Sequence, residues 1–172
     1  MVRGCSYLAD ENSTTWVFDA KDKILGRLSS QVAKILLDAR RAGREERVII
    51  VNAEQAIVSG TKTRVMATYR KKYELNHARK GPFFPRMPDK ILKRTVRGML
   101  PYQKNSTGRI ALKRLHVEIG CPSNITADDL PDGHAWGDTT KIDRRPPEQF
   151  VRLGDISREL GAPARWNDGG AA

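Results

Sequence analysis

Lys90, Lys93, Arg94 and Arg97 stand at i, i+3, i+4 and i+7, the spacing that gathers side chains on one face of a helix. A row of cations on a rigid element neutralises phosphate groups and releases their counterions, so this face is read as phosphate-facing. Leu92, Val96 and Met99 recur at i, i+4 and i+7 on the other side, which predicts an apolar face docked on a core. Pro88 suits the first helical position and Asp89 the positive end of the dipole, so the helix is expected over 88–100.

The net charge of +11 is not spread evenly along the chain. Residues 1–60 hold nine basic and eight acidic residues, residues 61–114 sixteen and two, and residues 115–172 six and ten. Solubility does not require that segregation, whereas a phosphate backbone does. A polyanion partner therefore leads, with nucleic acid ahead of a membrane surface. The candidate contacts are Arg64, Lys71, Lys72, Arg79, Lys80, Arg86, Lys90, Lys93, Arg94, Arg97, Lys104, Arg109, Lys113 and Arg114.

Two loops carry part of this set. The stretch from His77 to Pro88 is a loop by its prolines and Gly81, and it mixes cations with Phe83 and Phe84. Those rings either stack on unpaired bases or fold back on the core, and folding back is expected of at least one. The second loop, Pro101 to Arg109, is polar, basic and glycine-containing, a type that orders on RNA. It leads into a short helical turn holding Arg109, Lys113 and Arg114.

Catalytic and metal chemistry find no matching pattern. Cys5 and Cys121 lie far apart without partners at metal-ligand spacing and are read as reduced structural thiols; the histidines are His77, His116 and His134. Asp128, Asp129, Asp132, Asp138 and Asp143 cluster in an expected arm, where they are read as solvated. Neither a G-x-S-x-G elbow nor an H-E-x-x-H zinc helix is present. The turn from Asp19 to Gly26 has one glycine, not the G-x-G-x-x-G of pyrophosphate sites, and Gly26 is read as a point of close packing. Ser59-Gly60-Thr61-Lys62-Thr63 lacks the first glycine of a phosphate-binding loop. No catalytic residue, metal, cofactor or small-molecule substrate is expected.

The elements that must position the cations follow from periodicity. Thr15-Trp16-Val17-Phe18 reads as a strand and Asp22 as a helix N-cap. Leu25, Leu28, Val32, Ile35 and Leu36 form the apolar stripe of a helix that Gly43 ends, with Arg27, Gln31, Lys34, Asp38 and Arg41 opposite. Val48 to Val51 is an apolar run suited to a strand buried on both faces. Strand, helix and strand make a right-handed βαβ unit. A helix entered at Ser59-Gly60 runs to about Leu75, with Val65, Tyr69 and Tyr73 on one stripe, and a further strand is expected over 115–119. Phe150, Val151, Leu153, Ile156 and Leu160 suggest one short helix, and Trp166 falls in a tail.

The expected fold is therefore α/β, a three-layer α/β/α arrangement with a mostly parallel sheet, plus a basic helix-loop region and a C-terminal arm. The expected divisions are an N-terminal tail at 1–14, an α/β core at 15–120 and an extended arm at 121–172 with one short helix. A chain of 172 residues, 39% hydrophobic and 30% charged, has room for one domain and a wet surface. No stretch approaches the ~20 apolar residues of a membrane span. MVRGCSYLADENS has no signal-peptide core, so a cytosolic protein is expected.

Five segments together resemble a known family: WVFDAKDKILGRLSSQVAKILL, RVIIVNAEQAIVSG, GPFFPRMPDKILKRTVRGMLP, GRIALKRLHVEIGCP and FVRLGDISRELGA. They cover most of residues 16–161 and resemble universal large-subunit ribosomal protein thirteen in its archaeal and eukaryotic form. The third segment is the most specific. The chain lacks the longer insertion that bacterial members carry before the second strand, and its C-terminal arm looks archaeal. The resemblance implies an α/β/α scaffold that binds ribosomal RNA, contacts neighbouring large-subunit proteins and enters the subunit early in assembly. It carries the family's basic motif onto Arg79, Lys80, Arg86, Lys90, Lys93, Arg94, Arg97, Arg109, Lys113 and Arg114.

Three readings follow. A ribosomal RNA-binding scaffold in the cytoplasm leads. A nucleotide-dependent enzyme with an incidental basic surface would bind nucleotides in equilibrium dialysis. A free RNA-binding regulator would never cosediment with large subunits.

Overall fold

A computed structural model describes residues 14–75, 77, 79–103, 105–122, 125, 130–143 and 145–163. In chain order these form β1 (Thr15–Asp19), α1 (Leu25–Arg41), β2 (Arg47–Val51), a 3-10 turn (Ala53–Gln55), β3 (Ile57–Ser59), α2 (Lys62–Glu74), α3 (Pro88–Met99), α4 (Ser106–Lys113), β4 (Leu115–Val117), β5 (His134–Trp136), β6 (Phe150–Arg152) and α5 (Leu153–Glu159).

The sheet has the order β4-β2-β1-β5, with every pairing parallel. Val17 faces Ile49 in the central pair and Ile49 faces His116 in the next. On one face, Phe18, Val48 and Ile50 meet α1, α3, α4 and α5 through Leu28, Val32, Leu36, Leu92, Val96, Ala111 and Ile156. On the other, Val17 and Val51 pack with Ile125, beside Ile49 and Leu130. Burying one such aliphatic side chain contributes about 1.5–3 kcal/mol, so these two clusters dominate stability. The fold is α/β with a parallel sheet flanked by helices, consistent with the three-layer arrangement. Among the described residues, no helix is long and apolar enough to cross a membrane.

Several local expectations change. Asp22 is not a cap: it sits at φ 56 in a tight turn closed by the Lys23 N–H on the Ala20 carbonyl, and α1 starts after Ile24. The Asp22 carboxylate instead accepts from Arg152 at 2.9 Å. Gly26 is exposed, and a Cβ there would meet nothing within 4 Å, so close packing does not explain it. Gly43 does end α1: at φ +72 it donates to Arg40, while Arg44 donates to Ala39, the paired bonds of a Schellman end.

Ser59 closes β3 rather than opening a helix; Thr61 caps α2, its hydroxyl accepting from the Arg64 N–H at 3.4 Å. β3 pairs antiparallel with β6, so Phe150 and Val151 are strand and only the residues from Leu153 onward are helix. The segment 121–147, within the expected arm, supplies β5, which pairs with β1 at the sheet edge. Gly137 then lies so close to the buried Phe18 that a Cβ would stand 2.0 Å from the ring tip. Trp166 and Cys5 lie outside the described residues.

Candidate nucleic-acid interface

The basic third of the chain holds α2, α3 and α4, with α2 and α3 joined by the loop that carries Phe83 and Phe84. The loop is wound by short-range bonds. The Gly81 N–H donates to the His77 carbonyl at 2.8 Å, and the His77 Nδ1 accepts from the Arg79 and Lys80 N–H groups at 3.3 Å each. The Gly81–Pro82 peptide is cis. Ser157 on α5 donates to the Arg86 carbonyl, and Arg86 Nη1 donates to the Gly161 carbonyl at 3.3 Å, which moors the loop to the C-terminal helix.

Cations lie over rings throughout this region. Arg94 stands 4.2 Å from the Phe84 ring centre, and Lys72 stands 5.6 Å from the same ring and 5.2 Å from Tyr69. Arg86 lies 4.9 Å from Tyr73 and Arg97 5.2 Å from Tyr102. Each exposed contact of this type contributes about 0.5–1 kcal/mol and, more to the point, fixes where the cation sits. Desolvation, and then the Arg97 charge, hold the Arg94 guanidinium below its ordinary value; burial pushes the Tyr69 hydroxyl up. Phe84 is thus folded back, as expected of one of the pair, while Phe83 is 61% exposed.

The structure sorts the candidate cations into two groups. Arg64, Lys71, Arg79, Lys80, Lys90, Arg109 and Lys113 are exposed, and among the described residues their side chains have no hydrogen bond, ion pair or ring contact. Lys72, Arg86, Lys93, Arg94, Arg97 and Arg114 are engaged within the molecule. Lys93 Nζ donates to the Leu115 carbonyl on β4 at 2.9 Å, and Arg94 Nη1 to the Phe83 carbonyl at 3.2 Å. Arg114 pairs with Glu45 at 2.5 Å and donates to the Arg44 carbonyl at 2.8 Å. The expected row of four outward cations on α3 is therefore one exposed lysine, Lys90, and three that brace neighbouring chain. Met99, expected on the apolar stripe, is 41% exposed; Ile91 takes its place in the core. Lys104 lies outside the described residues. Tyr69, Tyr73 and Tyr102 act as ring supports that the sequence reading treated only as stripe or loop residues. A cation three residues after Tyr69 was the available signal.

A shallow groove of about 400 Å³ lies against the loop, lined by Tyr73, Phe83, Phe84, Arg86, Met87 and Lys90 among others. A larger one, about 620 Å³, lies on the second face of the sheet, where Arg47, Lys113 and Arg114 alternate with Glu45, Glu118 and Asp132. Its mixed charge makes no single-sign surface.

The carboxyl ends of the strands, where open α/β sheets hold nucleotides, offer a carboxylate rather than a donor cradle. Asp19 Oδ1 accepts from the Lys21 N–H and from Asn52 Nδ2, both at 2.9 Å, and Glu54 accepts from the Gly120 N–H at 2.9 Å. Negative charge at that position repels a phosphate. Among the described residues no group of three or more His, Cys, Asp or Glu can hold a metal.

A parallel α/β core, a surface of braced and outward cations, and acidic strand ends define a small basic α/β protein. The family described as ribosomal protein L13 matches residues 13–124. Large ribosomal subunit protein uL13 of Natronomonas pharaonis is 43% identical over 150 residues, covering 87% of this chain and 93% of the relative. The protein of that name from Archaeoglobus fulgidus is 42% identical over 147 residues, 84% and 86% of the two chains. That from Methanocaldococcus jannaschii is 43% identical over 150 residues, 85% and 97%. The chain belongs to the L13 family of ribosomal proteins, a structural and non-enzymatic family.

Proposed function

We propose that this chain is a structural constituent of the large ribosomal subunit in the cytoplasm, binding ribosomal RNA through the surface of residues 61–114 and joining early in assembly. The observation that carries the reading is the sorting of its cations. Lys71, Arg79, Lys80 and Lys90 are exposed and, among the described residues, without partners, beside cations that rings hold in place. Such a surface meets phosphates without first breaking internal contacts. The relatives' name, large ribosomal subunit protein, supports the choice of RNA and makes neighbouring large-subunit proteins the further partners. Early entry suits a chain whose apolar core closes without RNA, leaving only loops to adjust.

The test replaces Lys71, Arg79, Lys80 and Lys90 together with alanine and measures binding to transcribed large-subunit RNA across a salt series. Four lost phosphate contacts reduce the slope of log affinity against log salt by roughly 3. Cosedimentation with large subunits should fall in parallel. An unchanged slope and full incorporation would remove this surface from RNA binding.

A further inference from the structure

Phe83 is exposed on a loop that is otherwise closely tied. Its carbonyl accepts from Arg94 Nη1 at 3.2 Å. Its ring lies against Gly81, where a Cβ would stand 2.9 Å from the Phe83 nitrogen and 3.0 and 3.2 Å from two ring carbons. Gly81 is at φ +72, so the absence of a side chain there serves both the backbone and the ring above it. The neighbouring Phe84 ring is already occupied by Arg94 and Lys72. Phe83 has no cation over it among the described residues, yet Arg86 and Lys90 line the same groove of about 400 Å³.

The Phe83 ring is 61% exposed and seated on Gly81 rather than in the core. With exposed Lys90 lining the same groove, it fits a ligand with a flat π-face and an adjoining phosphate. We propose that Phe83 is a stacking platform for one unpaired nucleobase, with Lys90 meeting a flanking phosphate. The inference rests on the proposed RNA-binding role and deepens it: this corner of the surface takes single-stranded rather than helical RNA. Duplex bases are already stacked on each other and cannot present a face to the ring. A neighbouring protein's apolar side chain is the competing occupant, and the flanking cations disfavour it.

The test uses the full chain with Phe83→Leu, which keeps apolar bulk and loses the π-face, and Phe83→Trp, which restores a larger one. Binding to a fluorescent oligoadenylate and to an RNA duplex of equal length is measured by anisotropy, with thermal unfolding as the control for folding. Phe83→Leu should weaken oligoadenylate binding roughly 5- to 150-fold, as loss of one stacked base implies, without changing the salt slope. Phe83→Trp should recover it and show tryptophan quenching on binding beyond that of the parent chain's three tryptophans. Duplex affinity should not change in either variant. Equal oligoadenylate affinity for Phe83→Leu and the parent overturns the proposal, as does undetectable oligoadenylate binding by the parent. Normal oligoadenylate binding with impaired subunit incorporation assigns Phe83 to a protein neighbour instead. Failure of the wider RNA-binding reading is separate: it appears as duplex binding that does not weaken with salt.

Discussion

Lys90 and Lys93 sit three residues apart on α3, and their replacements should have opposite consequences. Lys93 Nζ donates at 2.9 Å to the carbonyl of Leu115, a residue only 1% exposed. Lys93→Met keeps the aliphatic stem and removes the donor. A hydrogen bond from a charged group contributes about 1.5–3 kcal/mol, and because Lys93 is only half-buried the lower end applies, about 1.5 kcal/mol. In a chain of this size that lowers Tm by roughly 3–6 °C. Lys90 is exposed and, among the described residues, unpartnered, so Lys90→Met should change stability by less than about 0.5 kcal/mol. RNA binding should reverse the order: Lys90→Met reduces the salt slope by about 0.7–0.9, and Lys93→Met leaves it unchanged. Calorimetry and filter binding across a salt series check both halves. A Lys93→Met chain with parental Tm and a reduced slope would mean that Lys93 leaves the Leu115 carbonyl and faces RNA, which would refute the sorting of the cations.

Gly137→Ala should destabilise the chain by about 3 kcal/mol in urea denaturation, because its Cβ would stand 2.0 Å from the ring tip of the fully buried Phe18. A loss below about 0.5 kcal/mol would show that the segment around β5 is not seated on the sheet. Gly26→Ala should instead stabilise by about 0.5–1 kcal/mol, since the position is helical and a Cβ there meets nothing within 4 Å; a lowered Tm would contradict this. Burial, and then the Asp19 charge, push the Cys121 thiol up, and its Sγ donates to the Ile125 carbonyl at 2.8 Å. The folded chain therefore keeps this proton to higher pH than the unfolded one, and the contribution to stability fades as pH rises through the folded value. In a Cys5→Ser background, iodoacetamide should react with Cys121 at pH 8 more slowly in the folded chain than in urea; equal rates would remove the shift.

The sequence by itself determined the βαβ start, the basic third of the chain, the apolar face of α1 and part of that of α3. Those signals are local: a period of 3.6 residues, a β-branched run, a glycine at a helix end, and charge counted along the chain. It also carried the family resemblance, through strings whose residue order is specific without any folding. Tertiary structure alone decided the rest. β3 and β6 are three residues each and exist because they pair with one another across most of the chain, so neither has a periodic signature. β5 was hidden in a polar segment because an edge strand needs only a partner, here β1, and its residues are half-buried or exposed. The same holds for the cations. Periodicity placed Lys90, Lys93, Arg94 and Arg97 on one helical face, but not what that face would meet. Only the fold brought the β4 carbonyl under Lys93 and rings under Arg94 and Arg97, leaving Lys90 alone on that face to point outward unpartnered among the described residues. A side chain's charge is written in the sequence, whereas its partner is set by whatever distant chain packs beside it.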